Sequence, residues 1–163
     1  MLFFLFSYRI VLYYVQYKGL LFYILQIFWE VFLMDSIIFD VDGTLWDSTG
    51  IVAEAWSDYL IHTEHMDTDV SSARLMGLFG QLLPDIARAL FPELPEAEQL
   101  RIIDGCCQAE HEALLQKCAP LYPDLEETLK ILSRRFPLFI VSNCQAGYIE
   151  VFLKSTDFGH YFK

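Results

Sequence analysis

Two short apolar runs, each closing on small polar residues, constrain this chain most. Ser36 to Phe39 reads as a buried strand ending at Asp40, and Leu138-Phe139-Ile140-Val141, after Pro137, as a fully buried strand ending at Ser142. Between them the apolar spacing is helical. Val52, Ala55, Trp56, Tyr59 and Leu60 recur at three- and four-residue steps after Ser48, which predicts an amphipathic helix. From about Asp67 to Cys118 the pattern stays helical, punctuated by Gly77, Gly80, Pro84, Pro92 and Pro95, so several short helices and no strand are expected. Asp124 and Glu127 read as a capping box ahead of Leu125, Leu129 and Leu132, and a last helix is expected from about Gln145. Strands joined in this way pair in parallel through a right-handed crossover. The expected fold class is therefore α/β: a partial doubly wound (Rossmann-like) parallel sheet with an inserted all-helical cap. Residues 34–49 and 120–163 would form the core and 50–119 the cap. With 163 residues in all, a multi-domain enzyme is excluded.

Residues 1–33 have a different character. They hold nearly half of the chain's aromatic residues and no alanine, and Arg9, Lys18 and Glu30 break them into apolar pieces too short to span a bilayer. A cleavable signal would end on small residues, whereas Glu30, Val31, Phe32 and Leu33 precede Met34. A domain that starts at Met34 and runs directly into Ile37 makes the stretch an extraneous leader, with a membrane anchor or a cleaved targeting segment as alternatives. The chain has 22 acidic against 11 basic residues, a net charge of -11, which excludes the basic face that nucleic-acid binding requires. Cys106, Cys107, Cys118 and Cys144 have neither zinc-site nor disulfide-framework spacing, so a reducing, cytoplasmic location is expected, with membrane anchoring through residues 1–33 as the alternative.

The chemistry concentrates in Asp40-Val41-Asp42-Gly43-Thr44-Leu45, where the first strand ends and the chain turns toward a helix. Open α/β sheets bind their ligands at such strand tips. Asp40 can present a carboxylate oxygen as a nucleophile, and Asp42, just beyond it, can act as acid and then base. Gly43 permits a tight loop with amide N–H groups facing an anion, and Thr44 adds a hydroxyl. Two like charges this close call for a cation with hard oxygen ligands, so Mg2+ at Asp40 and Asp42 is the expected cofactor.

This stretch resembles the first motif of the haloacid dehalogenase-like hydrolases, D-x-D-G-T followed by leucine or valine, and matches it at every position. Ser142, in Ile140-Val141-Ser142-Asn143, is similar to the family's second motif, a Ser or Thr at the tip of the next core strand. The resemblance implies that Asp40 takes the phosphoryl group as an aspartyl phosphate and that Asp42 protonates the leaving oxygen and then activates water. It also implies that Gly43, Thr44, Ser142 and the Asn143 backbone hold the phosphoryl oxygens. An acid at Asp42 favours phosphate chemistry over dehalogenation. The implied activity is that of a Mg2+-dependent, phosphoglycolate phosphatase-like hydrolase acting on a small phosphorylated metabolite. The alternatives are a phosphomutase of the β-phosphoglucomutase type and a non-catalytic, membrane-tethered fragment.

The family pattern continues with a lysine and an acidic pair on later strands. Lys154 and Lys163 are the only lysines after Ser142; the first falls inside the helix that follows it and the second ends the chain. The third, fourth and fifth core strands are also expected to be missing, which makes this the front part of such a hydrolase and leaves open whether it is active alone. Other features carry less. His62-Thr63-Glu64-His65 is one residue short of an H-x-x-E-H zinc helix and reads as a solvated face. Cys106 and Cys107 read as core filling, Cys144 as a thiol beside the phosphate pocket, and Asp47 and Ser48 as a helix cap.

Overall fold

A computed structural model of the chain describes residues 34–163 and, before them, the backbone of Phe6–Ser7 (β1) and Arg9–Ile10 (β2), which pair antiparallel. Apart from those four, residues 1–33 lie outside the described residues, and with them the reading of that stretch as a leader, anchor or targeting segment. Among the described residues no helix is long and apolar enough to cross a membrane.

The fold is mixed α/β, with a small parallel sheet and a helical cap. Ile37–Phe39 (β3) pairs in parallel with Leu138–Ile140 (β4), Ile37 against Leu138 and Phe39 against Ile140. Backbone bonds from Ile37 N–H to the Pro137 carbonyl and from Val141 N–H to the Phe39 carbonyl extend the pairing at both ends. On the far side of β4, Phe162 bridges Leu138 in parallel and Lys163 N–H donates to the Leu138 carbonyl at 3.0 Å. This contact is an isolated bridge beside β4, and the parallel sheet has two strands among the described residues.

All the helices but the last two lie between the strands, as expected. Thr49–Tyr59 (α1) runs on through a π-helical turn, Leu60–Glu64, and is followed by Ser72–Met76 (α2), Leu83–Leu90 (α3) and Glu96–Gln116 (α4). Leu125–Ser133 (α5) leads into β4, and Tyr148–Thr156 (α6) with a short 3-10 turn, Phe158–Tyr161, follows it. The amphipathic reading of α1 holds, with Val52, Trp56 and Leu60 buried. Helix α4 packs against α1, α3 and α6, so one apolar core runs from the sheet into the cap. Cys106 and Cys107 sit inside that core, where burial pushes both thiols up, Cys106 to about 12.

The helices from Asp67 to Cys118 divide near Gly77, Gly80, Pro92 and Pro95 as expected, and α4, which follows Pro95, runs unbroken for 21 residues. Two expectations need correction. Strand β4 is not fully buried: Leu138 is, but Phe139 and Val141 are 37% and 63% exposed, since the described sheet leaves one of its faces uncovered. The capping box at α5 does not form. Asp124 is left-handed (φ 59°) and its side chain makes no cap bond, while Glu127 pairs with Lys130 at 3.6 Å.

Candidate active site

The tip of β3 bends sharply. Leu45 N–H donates to the Val41 carbonyl at 2.8 Å and Gly43 N–H to the Trp46 carbonyl at 3.1 Å. Gly43 takes φ +72°, a conformation that costs a Cβ-bearing residue about 1 kcal/mol or more. The turn buries Val41, Leu45 and Trp46, leaves Asp40 exposed and half-buries Asp42. Alternate residues of the strand end thus point into the core and out to the site.

Both carboxylates face a cavity of about 400 Å3, a size suited to a small ligand. Ser142 and Asn143, from the loop after β4, line the same cavity, so the parallel register brings the two motif ends together. Gly43 lines a neighbouring hollow shared with Asp40 and Asp42, and Thr44 lines neither of these two cavities. The Asn143 side chain reaches across the mouth and donates to the Gly80 carbonyl at 3.1 Å, tying the loop before α3 to the sheet end.

Three donors converge on Oδ1 of Asp42: the Ser48 hydroxyl at 2.6 Å, the Tyr148 hydroxyl at 2.6 Å and the Trp46 indole N–H at 3.1 Å. Burial nevertheless raises the Asp42 carboxyl above its ordinary range, against the lowering effect of those bonds and with a smaller push from Asp40. Tyr148 is buried edge-on to Trp46, and its hydroxyl is pushed far up by burial and by the Asp42 charge. Ser48 holds the N-cap position of α1, as expected, but gives its hydroxyl to Asp42 rather than to the helix. Asp47, the other expected cap residue, accepts from the Thr49 N–H at 3.2 Å and from its hydroxyl.

Sequence reasoning also missed Glu110. It lies on the buried stripe of α4 with Ile102, Ile103, Cys106, Cys107 and Leu114, is 3% exposed, and lines the cavity. Its Oε2 accepts from the Trp56 indole N–H at 2.6 Å and its Oε1 from the Gln145 amide. Desolvation raises its carboxyl to about 8. A charged residue inside an apolar helical stripe was the available signal. Gln145 also meets His111 Nε2 at 3.0 Å, and burial keeps that imidazole below its usual pKa. Cys144 lines the cavity as a thiol, and burial holds its pKa up. His62 and His65 are exposed, as expected of a solvated face, while Glu64 between them is tied to Arg101 and Tyr59.

Among the described residues no group of three or more His, Cys, Asp or Glu is arranged to hold a metal. Asp40 and Asp42 offer hard oxygens on one cavity wall. Mg2+ keeps several waters and needs only one or two carboxylates, so this donor set fits it, and it does not fit a metal that wants a closed protein cage.

The family model described as haloacid dehalogenase-like hydrolase matches residues 37–163. No curated protein matches the chain. Among solved structures it is similar to a Bacteroides fragilis protein provisionally assigned as a haloacid dehalogenase-like hydrolase (TM-score 0.64, 20% identity, covering 77% of this chain and 59% of that one). It is also similar to a predicted phosphatase from Clostridium acetobutylicum (TM-score 0.62, 18% identity, 77% and 57%) and to a hydrolase from Pseudomonas syringae (TM-score 0.59, 23% identity, 76% and 56%). At these identities the likeness is one of fold, and the chain spans less than two thirds of the length of each of the three.

Proposed function

We propose, on the premise that this chain belongs to the haloacid dehalogenase-like hydrolase family, that it is the nucleophile-bearing part of a Mg2+-dependent phosphatase of small phosphate monoesters. The observation that carries the reading is the meeting of two strand ends at one cavity: Asp40 and Asp42 after β3, Ser142 and Asn143 after β4. An Asp40 carboxylate oxygen attacks phosphorus, and the bond to the leaving oxygen breaks as Asp42 gives that oxygen its proton. Water then attacks the aspartyl phosphate while Asp42 takes its proton, and the bond from phosphorus to Asp40 breaks to release phosphate. Oδ1 of Asp42 is occupied by three donors, so Oδ2 is the oxygen that carries the proton. The Ser142 hydroxyl and the Asn143 N–H hold the phosphoryl oxygens, which is where most catalysis of this reaction lies, while the expected Gly43 and Thr44 amides are engaged inside the turn, at the Trp46 and Val41 carbonyls.

Mg2+ would be held by the Asp40 carboxylate and the Asp42 main-chain carbonyl, leaving the Asp42 carboxyl free for its proton, and would supply positive charge that offsets repulsion between the carboxylates and the phosphate dianion. Residues 50–119 act as the cap that selects the alcohol, 34–49 and 120–163 as the core, and the free cysteines suit a reducing cytoplasm. The test uses the full-length protein and p-nitrophenyl phosphate over a Mg2+ titration. Turnover is expected to require the metal and to fall by about three orders of magnitude or more in Asp40→Asn, since Asp40 is the exposed carboxylate of the cavity while Asp42 and Glu110 are held by hydrogen bonds. Retention of more than about a tenth of the rate would refute the assignment.

A further inference from the structure

The cavity that holds Asp40 and Asp42 carries a third carboxylate that the proposed chemistry does not use. Glu110 is 3% exposed, yet it reaches this cavity from the cap side, on α4. No lysine, arginine or histidine is among the residues lining the cavity, so three acids face one small space without a cation. For Asp40 and Asp42 the family chemistry supplies a metal. For Glu110 nothing in the described residues does. Its two bonded partners, Trp56 and Gln145, are both neutral N–H donors, which hold the carboxyl oxygens as acceptors and bring no positive charge to them.

A buried carboxylate in this state is costly, and an apolar side chain of similar volume would satisfy the α4 stripe at less cost. Two N–H bonds also leave lone pairs on a carboxylate that can accept about four. The cap side of the cavity is mostly apolar, with Val52, Phe79, Leu83 and Ile86 beside the neutral Gln81, so Glu110 is the charged group on that side. We propose that Glu110 is the specificity-determining residue of the site, and that it accepts from an ammonium group on the leaving alcohol, making the preferred substrates small amino-alcohol phosphates. The inference rests on the phosphatase reading above and deepens it. Burial pushes the Glu110 carboxyl up to about 8 in the ligand-free protein, and an ammonium group brought against it favours the ionised form.

The test compares kcat/KM of the full-length protein, with Mg2+, for O-phosphoethanolamine and for its neutral counterpart, 2-hydroxyethyl phosphate. The two esters differ only in the terminal group. A preference of about tenfold or more for the ammonium ester is expected in the wild type, the size of a desolvated charge-assisted bond. Glu110→Gln should collapse the ratio to within about threefold of unity, while Glu110→Asp, which keeps the charge, should retain part of it. A wild-type ratio near one, or a ratio that Glu110→Gln leaves unchanged, overturns the inference and makes Glu110 a clamp between Trp56 and Gln145. If Glu110→Gln does not fold, the wild-type ratio decides alone. Hydrolysis of p-nitrophenyl phosphate by the wild type separates the two levels: with it intact, a ratio near one removes only the ammonium assignment, and without turnover of any of the three esters both readings fall.

Discussion

Gly105 sits in the middle of the 21-residue helix α4, where glycine is about 1 kcal/mol worse than alanine. Its place there is explained by Tyr59. A Cβ on residue 105 would lie 2.0 Å from Tyr59 Oη, 2.2 Å from Cζ and 2.8 Å from Cε1, all well inside contact distance. The ring must then retreat by about 1.5 Å to regain van der Waals separation. That motion breaks the 2.6 Å bond from the Tyr59 hydroxyl to Glu64 Oε1, where Arg101 also makes its two-pronged pair at 2.8 and 2.7 Å. A bond to a charged acceptor contributes about 1.5–3 kcal/mol when buried and less here, where Tyr59 is half-buried. Overpacking costs of about 1–3 kcal/mol plus about 0.5–1 for the half-buried bond to Glu64, less the helix-propensity gain of about 1, leave Gly105→Ala destabilised by about 0.5–3 kcal/mol. In a Tyr59→Ala background only the propensity remains, so the same substitution should stabilise by about 0.5–1 kcal/mol. The assay is urea unfolding of the full-length protein, followed by far-UV circular dichroism, across the four members of the cycle. A neutral or stabilising Gly105→Ala in the Tyr59 background would refute the steric argument, as would the same sign in both backgrounds.

Two further outcomes follow from groups around the cavity. Because the folded-state pKa of Glu110 is raised to about 8 from 4.5, the folded protein holds a proton that the unfolded chain releases, so stability should fall as pH rises from about 4.5 to 8 and level off above. Thermal melts from pH 5 to 9 should show a steeper decline for the wild type than for Glu110→Gln, and parallel curves would show that the carboxyl does not titrate in this way. Tyr148→Phe removes one of the three donors on Asp42 Oδ1 and keeps the ring that packs on Trp46, so kcat for p-nitrophenyl phosphate should fall about tenfold in protein that is still folded at the assay temperature, with a stability cost of about 1.5–3 kcal/mol for the lost bond to the carboxylate. An unaltered kcat would mean that Ser48 and Trp46 suffice to orient the carboxyl.

Much of this was legible because it is contiguous. Ile37 to Leu45 specify a strand, a tight turn and two acids within one short stretch, and local sterics at Gly43 fix the turn whatever the rest of the chain does. The apolar face of α1 was readable for the same reason, since its period needs no partner to be seen. The failures arose where a neighbour decides. Asp124 has the right residue three positions before Glu127, but the chain enters α5 through a left-handed residue, and a side chain there is not aimed at the first-turn N–H groups. The apolar run of β4 suggested burial on both faces, but a strand is covered only as far as its neighbours extend, and nothing in four residues says which neighbours those are.

The site divides along the same line. Asp40, Asp42, Ser142 and Asn143 could be named from strand tips, whereas the groups that act on them come from far along the chain: Tyr148 reaches Asp42 across 106 positions, and Glu110 meets Trp56 across 54 and Gln145 across 35. None of these pairings has a period or spacing to reveal it. Each leaves only half a signal, such as an acid on an apolar stripe or a tyrosine just past a strand tip. The consequence is chemical. In the reaction proposed here the D-x-D-G-T stretch supplies the reacting atoms, but the proton affinity of Asp42 follows from its burial and from Ser48, Tyr148 and Trp46, and the wall of the cavity opposite the strand tips comes from α4. On that proposal, two chains with the same motif and different residues at positions 110 and 148 share a reaction and differ in substrate and pH range, so the place to look for specificity is the helices that close over the strand tips.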